Sequence, residues 1–357
     1  MSLVSLDIVQ LRNLHQVSLQ PSSQFNLIYG ANGSGKSSLL EAIFLLGLGR
    51  SFRTQRSRRL VQEGYDSATV FAELSSGSRI GVLKRASGNT EARINRQNAA
   101  SLSALAQQLP LQLFDPESLL LVSGPSLARR QLLDWGVFHV EPTFISVWSR
   151  ARRALAQRNS LLKSAKISIA ELKVWEAELV SASLELSEQR RRLISRWLPD
   201  VEETLLQYLP ASHMSISFFP GWDDDVDYSE LLAGSRAKDR ERGFTAYGPH
   251  RADLKIKSHG AAADERLSRG QLKLCACLIK LALSRLLQKE CGIRPVLLFD
   301  DLSSELDETA RSQVVEIVET LSVQSFFTCI DRGQLEKTLP AQGIKMFHVE
   351  QGCVVPV

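Results

Sequence analysis

The sequence has no uninterrupted apolar run close to the about 20 residues that a bilayer-spanning helix needs, although 44% of it is hydrophobic. Its start, Met1 to Leu14, carries Asp7 and Arg12 and lacks a secretory apolar core. No membrane partner is expected, and a cytoplasmic setting is. Cysteine is sparse. Five residues, at 275, 277, 291, 329 and 353, are an odd number without the paired spacing of a zinc site. They are expected to be reduced, buried thiols. Neither sign of charge dominates: 43 basic residues stand against 39 acidic, a net of +4. Any affinity for nucleic acid therefore has to come from local clustering. Internal repeats and low-complexity segments are absent, and 357 residues allow two or three domains.

What is present begins with Gly30-Ala31-Asn32-Gly33-Ser34-Gly35-Lys36-Ser37, a complete G-x-x-x-x-G-K-S phosphate loop, with Ser38 behind it. Gln24 to Tyr29 reads as the strand before it. Ser37 to Leu48 reads as the helix after it, with Leu39, Leu40, Ile43, Phe44 and Leu46 giving a broad apolar face. The three glycines let backbone N–H groups turn inward around phosphate oxygens, and the helix start adds positive potential. Lys36 is then the cation for the β- and γ-phosphates of ATP, and the Ser37 hydroxyl a Mg²⁺ ligand. A second apolar strand, Pro295 to Asp300, ends in acid. Asp300 is expected to hold Mg²⁺ through water. Asp301 either orients or deprotonates the attacking water or caps the next helix, and the two roles are compatible.

Elsewhere, Leu3 to Val9 reads as a strand and Ala68 to Ile94 as antiparallel hairpins. Between about Leu121 and Arg242 the pattern is helical. One stripe runs through Leu172, Trp175, Leu179, Ala182, Leu186 and Leu193, interrupted at Gln189; another through Trp148, Ala151, Leu155 and Leu162. An antiparallel arm and a compact helical subdomain both fit these stripes. After Gly243 α/β character returns, with a strand over Val323 to Ile330. The expected division is therefore 1–121 and 243–357 as an ATPase head, with 122–242 as an inserted helical domain. Leu267-Ser268-Arg269-Gly270-Gln271, an L-S-x-G-Q signature, precedes an apolar helix over Leu272 to Leu287. Ser268, Gly270 and Gln271 at a helix start either present a hydroxyl and N–H groups to an anion or simply cap the helix. Phosphate loop, signature and acidic strand follow the order of ATP-binding cassette heads, in which two copies of the chain share ATP. Arg50, Arg53, Arg56, Arg58 and Arg59 form a basic cluster with no acid between Arg50 and Gln62. It reads as a DNA phosphate-binding surface or as a solvated loop, with Lys84, Arg85, Arg93 and Arg96 as a weaker extension.

On these motifs the chain resembles the RecF family of SMC-like ATP-binding cassette ATPases over essentially its whole length. Leu11-Arg12-Asn13-Leu14 resembles the family's R-N-F segment near the nucleotide, and Gly248 to Leu254 its G-P-H-R-x-D-L stretch. Gln112, within Leu111 to Glu117, matches the Q-loop, whose glutamine contacts Mg²⁺ and the attacking water. Leu267 to Lys273 and Leu298 to Asp307 match the signature, acidic-strand and dimer-contact segments. The resemblance implies a P-loop ATPase head, built from a mixed sheet and an antiparallel β subdomain, with an inserted helical arm. It implies an ATP-gated homodimer that binds DNA in recombinational repair, replication and SOS induction. RecR, with RecO, and through them RecA, are the implied partners. Two departures imply slow hydrolysis: Asp301 stands where most cassettes have Glu, and Thr328-Cys329-Ile330-Asp331 stands where the switch His is usual. His250 reads either as a structural residue of a Gly-Pro turn or as a group near the nucleotide. The competing class is a nucleotide-binding subunit that drives a protein partner without touching DNA.

Overall fold

The computed structural model describes residues 2–164, 168–340 and 342–357. The chain opens with the hairpin β1 (Leu3–Leu11) and β2 (Leu14–Leu19), then β3 (Phe25–Tyr29), which runs through the phosphate loop into α1 (Lys36–Leu48). An antiparallel meander follows: β4 (Ser67–Leu74), β5 (Arg79–Arg85), β6 (Thr90–Ile94) and β7 (Gln97–Asn98). Next come α2 (Leu102–Gln108) and β8 (Leu111–Phe114). The central part holds α3 (Leu120–Ser123), α4 (Ser126–Val140), α5 (Phe144–Lys163), α6 (Ile169–Tyr208), β9 (Met214–Phe219), α7 (Tyr228–Arg242), β10 (Asp253–Ser258), β11 (Ala261–Ala262), α8 (Ala263–Arg266) and α9 (Arg269–Cys291). The last part is β12 (Val296–Phe299), α10 (Leu302–Glu305), α11 (Glu308–Leu321), β13 (Ser325–Cys329), β14 (Ile344–Glu350) and β15 (Cys353–Pro356).

Two compact units emerge. The first joins the residues up to Ser118 with those from Gln288 onward; the second is Leu119–Leu287. In the first unit one sheet is antiparallel, in the order β2-β1-β4-β5-β6-β7. The other has the order β15-β14-β3-β13-β12-β8, parallel except for β15 at its edge. Helix α1 packs against strands of both sheets. Nearly every one of its residues is buried, as its apolar sequence requires. Its Leu39, Ile43 and Leu46 share one core with Ile8, Val70, Ile80, Val296 and Phe326. Within the parallel sheet Phe114, Phe299 and Phe327 stand in register on neighbouring strands. Their rings stack, with centroids 4.3 Å and 4.6 Å apart. That ladder fixes which residues leave β8, β12 and β13 together at the carboxyl edge, where ligands of open α/β sheets bind.

In the second unit α5 and α6 run antiparallel. Gln189 donates to Thr143, Arg150 pairs with Glu178, and Arg158 with Glu176, so one helix ascends as the other descends. The 40 residues of α6 make a rod of roughly 60 Å. Gln189, which interrupts the apolar stripe in sequence, is buried, and its amide donates to Thr143. The buried stripe of α5 is Val147, Ala151, Ala154, Arg158 and Leu162, with Trp148 and Leu155 only half-buried at its edge. Arg158 was invisible to an apolar count, yet it is fully buried. It donates to Glu176 at 3.2 Å, Asp239 at 2.8 Å and Thr245 at 2.7 Å, tying together α5, α6, α7 and the loop after α7.

Two further expectations differ from what is observed. Residues 243–287, expected with the head, cluster with the helical unit. The reason is a strand that helical periodicity conceals: β9 pairs antiparallel with β10 over six residue pairs, committing 253–258 to the unit that holds 214–219. Of the cysteines, 275, 277 and 329 are buried, whereas Cys291 and Cys353 are exposed, at a helix end and on an edge strand.

Burial holds the imidazoles of His139 and His250, both in the second unit, down at about 4 from the ordinary 6.5. Both are neutral in the folded chain at pH 7, whereas the unfolded chain takes up protons near 6.5. Their contribution is therefore intact above that pH and is lost as pH falls through 6.5 towards 4. The urea midpoint should fall between pH 7.5 and 5, and by less in His139→Leu, which removes one of the two groups. Equal falls in the variant and the parent would contradict this.

Candidate nucleotide site

The site is built at the carboxyl edge of the parallel sheet, where β3 gives way to the phosphate loop. Gly30 has φ of 154°, and a Cβ there would lie 2.2 Å from the Val349 carbonyl oxygen. The loop is therefore pressed against β14 in a way only glycine permits. The hairpin turn between β14 and β15 holds it from the same side, its Gly352 N–H donating to the Ser34 carbonyl at 2.8 Å. Next to Gly352, the Asn13 amide donates to the carbonyls of Gly33 (3.2 Å) and Ser34 (2.9 Å) and accepts from the Ser38 hydroxyl (2.9 Å). Arg12 beside it makes a bidentate pair with the fully buried Glu41 of α1, at 2.8 Å and 2.9 Å, and Ser51 also donates to that carboxylate. The turn between β1 and β2 thus braces the loop.

No side chain caps α1, whose N-cap is Gly35. Its first N–H groups lack intrahelical acceptors and stand at an anion-attracting helix start. Lys36 is 9% exposed and donates to the carbonyls of Gly30 (2.8 Å) and Ala31 (3.0 Å). Among the described residues no carboxylate pairs with it. A buried ammonium with only neutral acceptors is incompletely compensated, and a phosphate supplies what is missing. The Ser34 hydroxyl, likewise buried, has no partner among the described residues.

Opposite the loop, Asp300 leaves β12. One of its carboxylate oxygens accepts from the Ser37 hydroxyl and from the Thr328 hydroxyl, each at 2.9 Å. Burial pushes the Asp300 carboxyl above the usual carboxylate range, while the hydroxyls of Ser37 and Thr328 and the nearby Arg53 pull the other way. A half-desolvated carboxylate beside a serine hydroxyl, at a phosphate loop, is an oxygen donor set suited to Mg²⁺. Asp301 follows in the left-handed region, φ 56°, and its N–H donates to Thr328 at 2.8 Å. It is the N-cap residue of α10, but its side chain makes no capping bond. The carboxylate accepts from the Ser303 hydroxyl at 3.4 Å and borders the cleft.

These groups line one cleft of about 800 Å³. Arg12, Asn13, Asn32, Gly33, Gly35, Lys36, Ser37, Ser38, Asp300 and Asp301 all border it. Gln112 does not. It sits within β8, opposite Leu297 in the parallel ladder, three residues short of the level of Asp300. That is about 10 Å along a strand. Its amide is buried without a partner among the described residues, and Pro116 is what the following loop contributes to the cleft. Arg53, Arg58 and Arg59, grouped in the sequence with a DNA surface, border this cleft too; Arg50 and Arg56 are exposed and do not. Thr328 is the residue that sequence reasoning passed over. It opens the segment Thr328 to Asp331, where the switch histidine is usual, and its only signal in the sequence is a hydroxyl near the end of a buried strand.

The signature lies in the second unit. Ser268 and Gln271 cap α9 reciprocally: the Gln271 side chain accepts from the Ser268 N–H at 2.9 Å, and the Ser268 hydroxyl from the Gln271 N–H at 3.3 Å. Ser268, Gly270 and Gln271 are all exposed, and a Cβ on Gly270 would meet nothing within 4 Å. His250 donates its Nε2–H to the Thr245 carbonyl, 3.1 Å away, in the turn after α7.

Comparison with known proteins agrees with this geometry. The family model described as RecF/RecN/SMC N terminal domain matches residues 2–355. The DNA replication and repair protein RecF of Pseudomonas aeruginosa (strain LESB58) is 44% identical over 359 residues, covering 99% of this chain and 97% of that protein. A solved structure of the recombination mediator protein RecF with ATP, in the RecFOR pathway, superposes with a TM-score of 0.87. It is 25% identical, over 100% of this chain and 97% of that one. A Smc head domain from Pyrococcus furiosus, 18% identical, shares the fold at a TM-score of 0.60 over 100% of this chain and 96% of that one.

Asn13→Ala removes two hydrogen bonds to loop carbonyls and one from Ser38 without touching the loop's own sequence. Its ATP affinity, read by calorimetry, should fall roughly 5- to 30-fold, corresponding to about 1–2 kcal/mol. Unchanged affinity would mean the loop holds its shape without this brace.

Proposed function

We propose that the chain, which belongs to the RecF/RecN/SMC family and within it to the RecF proteins of DNA replication and repair, binds ATP in this cleft and uses it to close a homodimer that binds DNA. The observation that carries the reading is the meeting of Ser37 and Asp300 at 2.9 Å beside a buried Lys36 that no carboxylate among the described residues pairs. The loop N–H groups and Lys36 bind the triphosphate; Ser37 and Asp300 hold the metal. A magnesium ion there neutralises phosphate charge as a Lewis acid. Asp301 orients the attacking water or takes its proton. Its side chain is one methylene shorter than the usual Glu, and the segment Thr328 to Asp331 stands where a histidine is usual, so hydrolysis is slow. Gln112 is withdrawn from the set of groups touching metal and water, because its level in β8 is too low.

Ser268, Gly270 and Gln271 serve the other copy's nucleotide. Exposed and held in a formed capping box, they have one hydroxyl and a helix start to offer a γ-phosphate. ATP then favours the closed dimer because it binds that state better. Of the basic cluster, Arg50 and Arg56 remain for DNA phosphates, while Arg53, Arg58 and Arg59 border the nucleotide. RecR and RecO are the protein partners, as the pathway named for the structural relative suggests, with RecA loading downstream in the cytoplasm. Among the described residues no helix is long and apolar enough to cross a membrane.

Ser268→Arg should leave ATP binding by the single chain intact and abolish ATP-dependent dimers in mass measurements. Mixed with Lys36→Ala protein, it forms a heterodimer with one site doubly damaged and one whole, so part of the hydrolysis should return. A Ser268→Arg chain that still dimerises with ATP, or a mixture that forms heterodimers and recovers nothing, would contradict a shared site.

A further inference from the structure

The antiparallel sheet of the first unit has two unlike faces. Val70, Ala72, Ile80 and Val82 point into the core. On the outer face the register sets Phe71 beside Gly81 and Gly81 beside Arg93 on three neighbouring strands, and directly paired residues share a face. Phe71 is 37% exposed there. Gly81 carries no side chain to cover the ring: a Cβ would stand 3.6 Å from the Phe71 ring, in ordinary contact. The result is a groove of about 480 Å³ with Phe71 and Gly81 on its floor and Arg79, Arg85, Arg93 and Arg96 around it. All four arginines are exposed. Arg85 pairs with Glu91 at 2.8 Å and Arg79 loosely with Glu73 at 3.8 Å. Arg93 and Arg96 have no ion pair among the described residues, so the groove keeps an excess of positive charge.

The same face carries Asp7 directly beside Phe71, and Val9 and Leu83 next to Thr69, but an aromatic ring left 37% exposed beside a gap one residue wide, with arginines on the far strands, is not explained by folding alone. A flat, anionic polymer matches it. We propose that this groove binds single-stranded DNA, with one base stacked on Phe71 over Gly81 and the flanking phosphates on the arginines. The inference rests on the DNA-binding reading above and adds to it a site distinct from the nucleotide cleft. Arg79 and Arg85 lie six residues apart on β5, roughly 20 Å. That is room for about six stacked nucleotides at ~3.4 Å each. A duplex cannot use the floor, because its bases are paired and stacked inside. Base–aromatic stacking and a basic track are together the physics of sequence-tolerant single-strand binding.

The test measures fluorescence anisotropy of a labelled oligothymidylate, and of a duplex of equal length, with the full chain and ATP. Phe71→Leu removes the ring and keeps the apolar surface; Gly81→Leu fills the gap from a Cβ that makes only ordinary contacts. Each should weaken single-strand binding roughly 5- to 100-fold, the loss expected for one base stack, and leave duplex and ATP affinities as in the parent. Arg93→Gln with Arg96→Gln should lower the salt slope of single-strand binding by about 0.7 for each arginine–phosphate pair removed. Parental single-strand affinity in both Phe71→Leu and Gly81→Leu overturns the proposal. So does equal weakening for single strand and duplex, which makes the face a reader of phosphates alone. A parent chain that binds neither form with ATP overturns the DNA-binding reading itself, and this site with it.

Discussion

One carboxylate oxygen of Asp300 accepts hydrogen bonds from Ser37, at the start of α1, and from Thr328, at the end of β13. Three elements that are far apart in sequence are held to about 3 Å by that atom, and the rest of the first unit is arranged so that they can meet. The stacked phenylalanines at 114, 299 and 327 put β8, β12 and β13 in one register, so Asp300 and Thr328 leave the sheet side by side. Burial of α1 between two sheets gives its first turn a fixed place. Burial also makes the Asp300 carboxyl hard to ionise, and a divalent cation relieves that cost.

A phosphate loop is a strained piece of backbone, and strain persists only where surroundings enforce it. Asn13 and Gly352, which adjoin each other, both hold the Ser34 carbonyl of this one, Ser38 holds Asn13, and Val349 presses on Gly30. The second unit answers a different demand. Its helices carry charge into their own packing, with Arg158 shared between Glu176 and Asp239 and Arg236 also on Glu176. Truncating one partner of such a buried set costs about 3–5 kcal/mol, although the set itself adds little over apolar packing. What it provides is a single angle among α5, α6 and α7.

Much of this was legible. The phosphate loop, its strand and helix, and the acid at the end of β12 are local patterns, and local patterns survive folding. The two long helices were legible from their stripes, but the stripes left an arm and a compact subdomain both open; the antiparallel pairing comes from contacts such as Gln189 with Thr143. What could not be read depends on register or on partners remote in sequence. Gln112 matches a motif, but only the pairing of β8 with Leu297 sets its level, and that level is below the cleft. Arg53, Arg58 and Arg59 look like any basic run; their position on the cleft comes from the turn after α1. Thr328 takes its role from two neighbours 27 and 28 residues away. Residues 243–287 followed β10 into the second unit because β9 lay hidden in a helical stretch.

The central claim is that Ser37 and Asp300 hold a metal against a triphosphate bound by the loop. Calorimetric titration of ATP over a range of Mg²⁺ concentrations, for the parent chain and for Asp300→Asn, tests it most directly. The parent should bind ATP more tightly as Mg²⁺ rises, and Asp300→Asn should lose most of that dependence while keeping the metal-free affinity. A parent whose ATP affinity ignores Mg²⁺, or an Asp300→Asn variant that responds as the parent does, would contradict the claim.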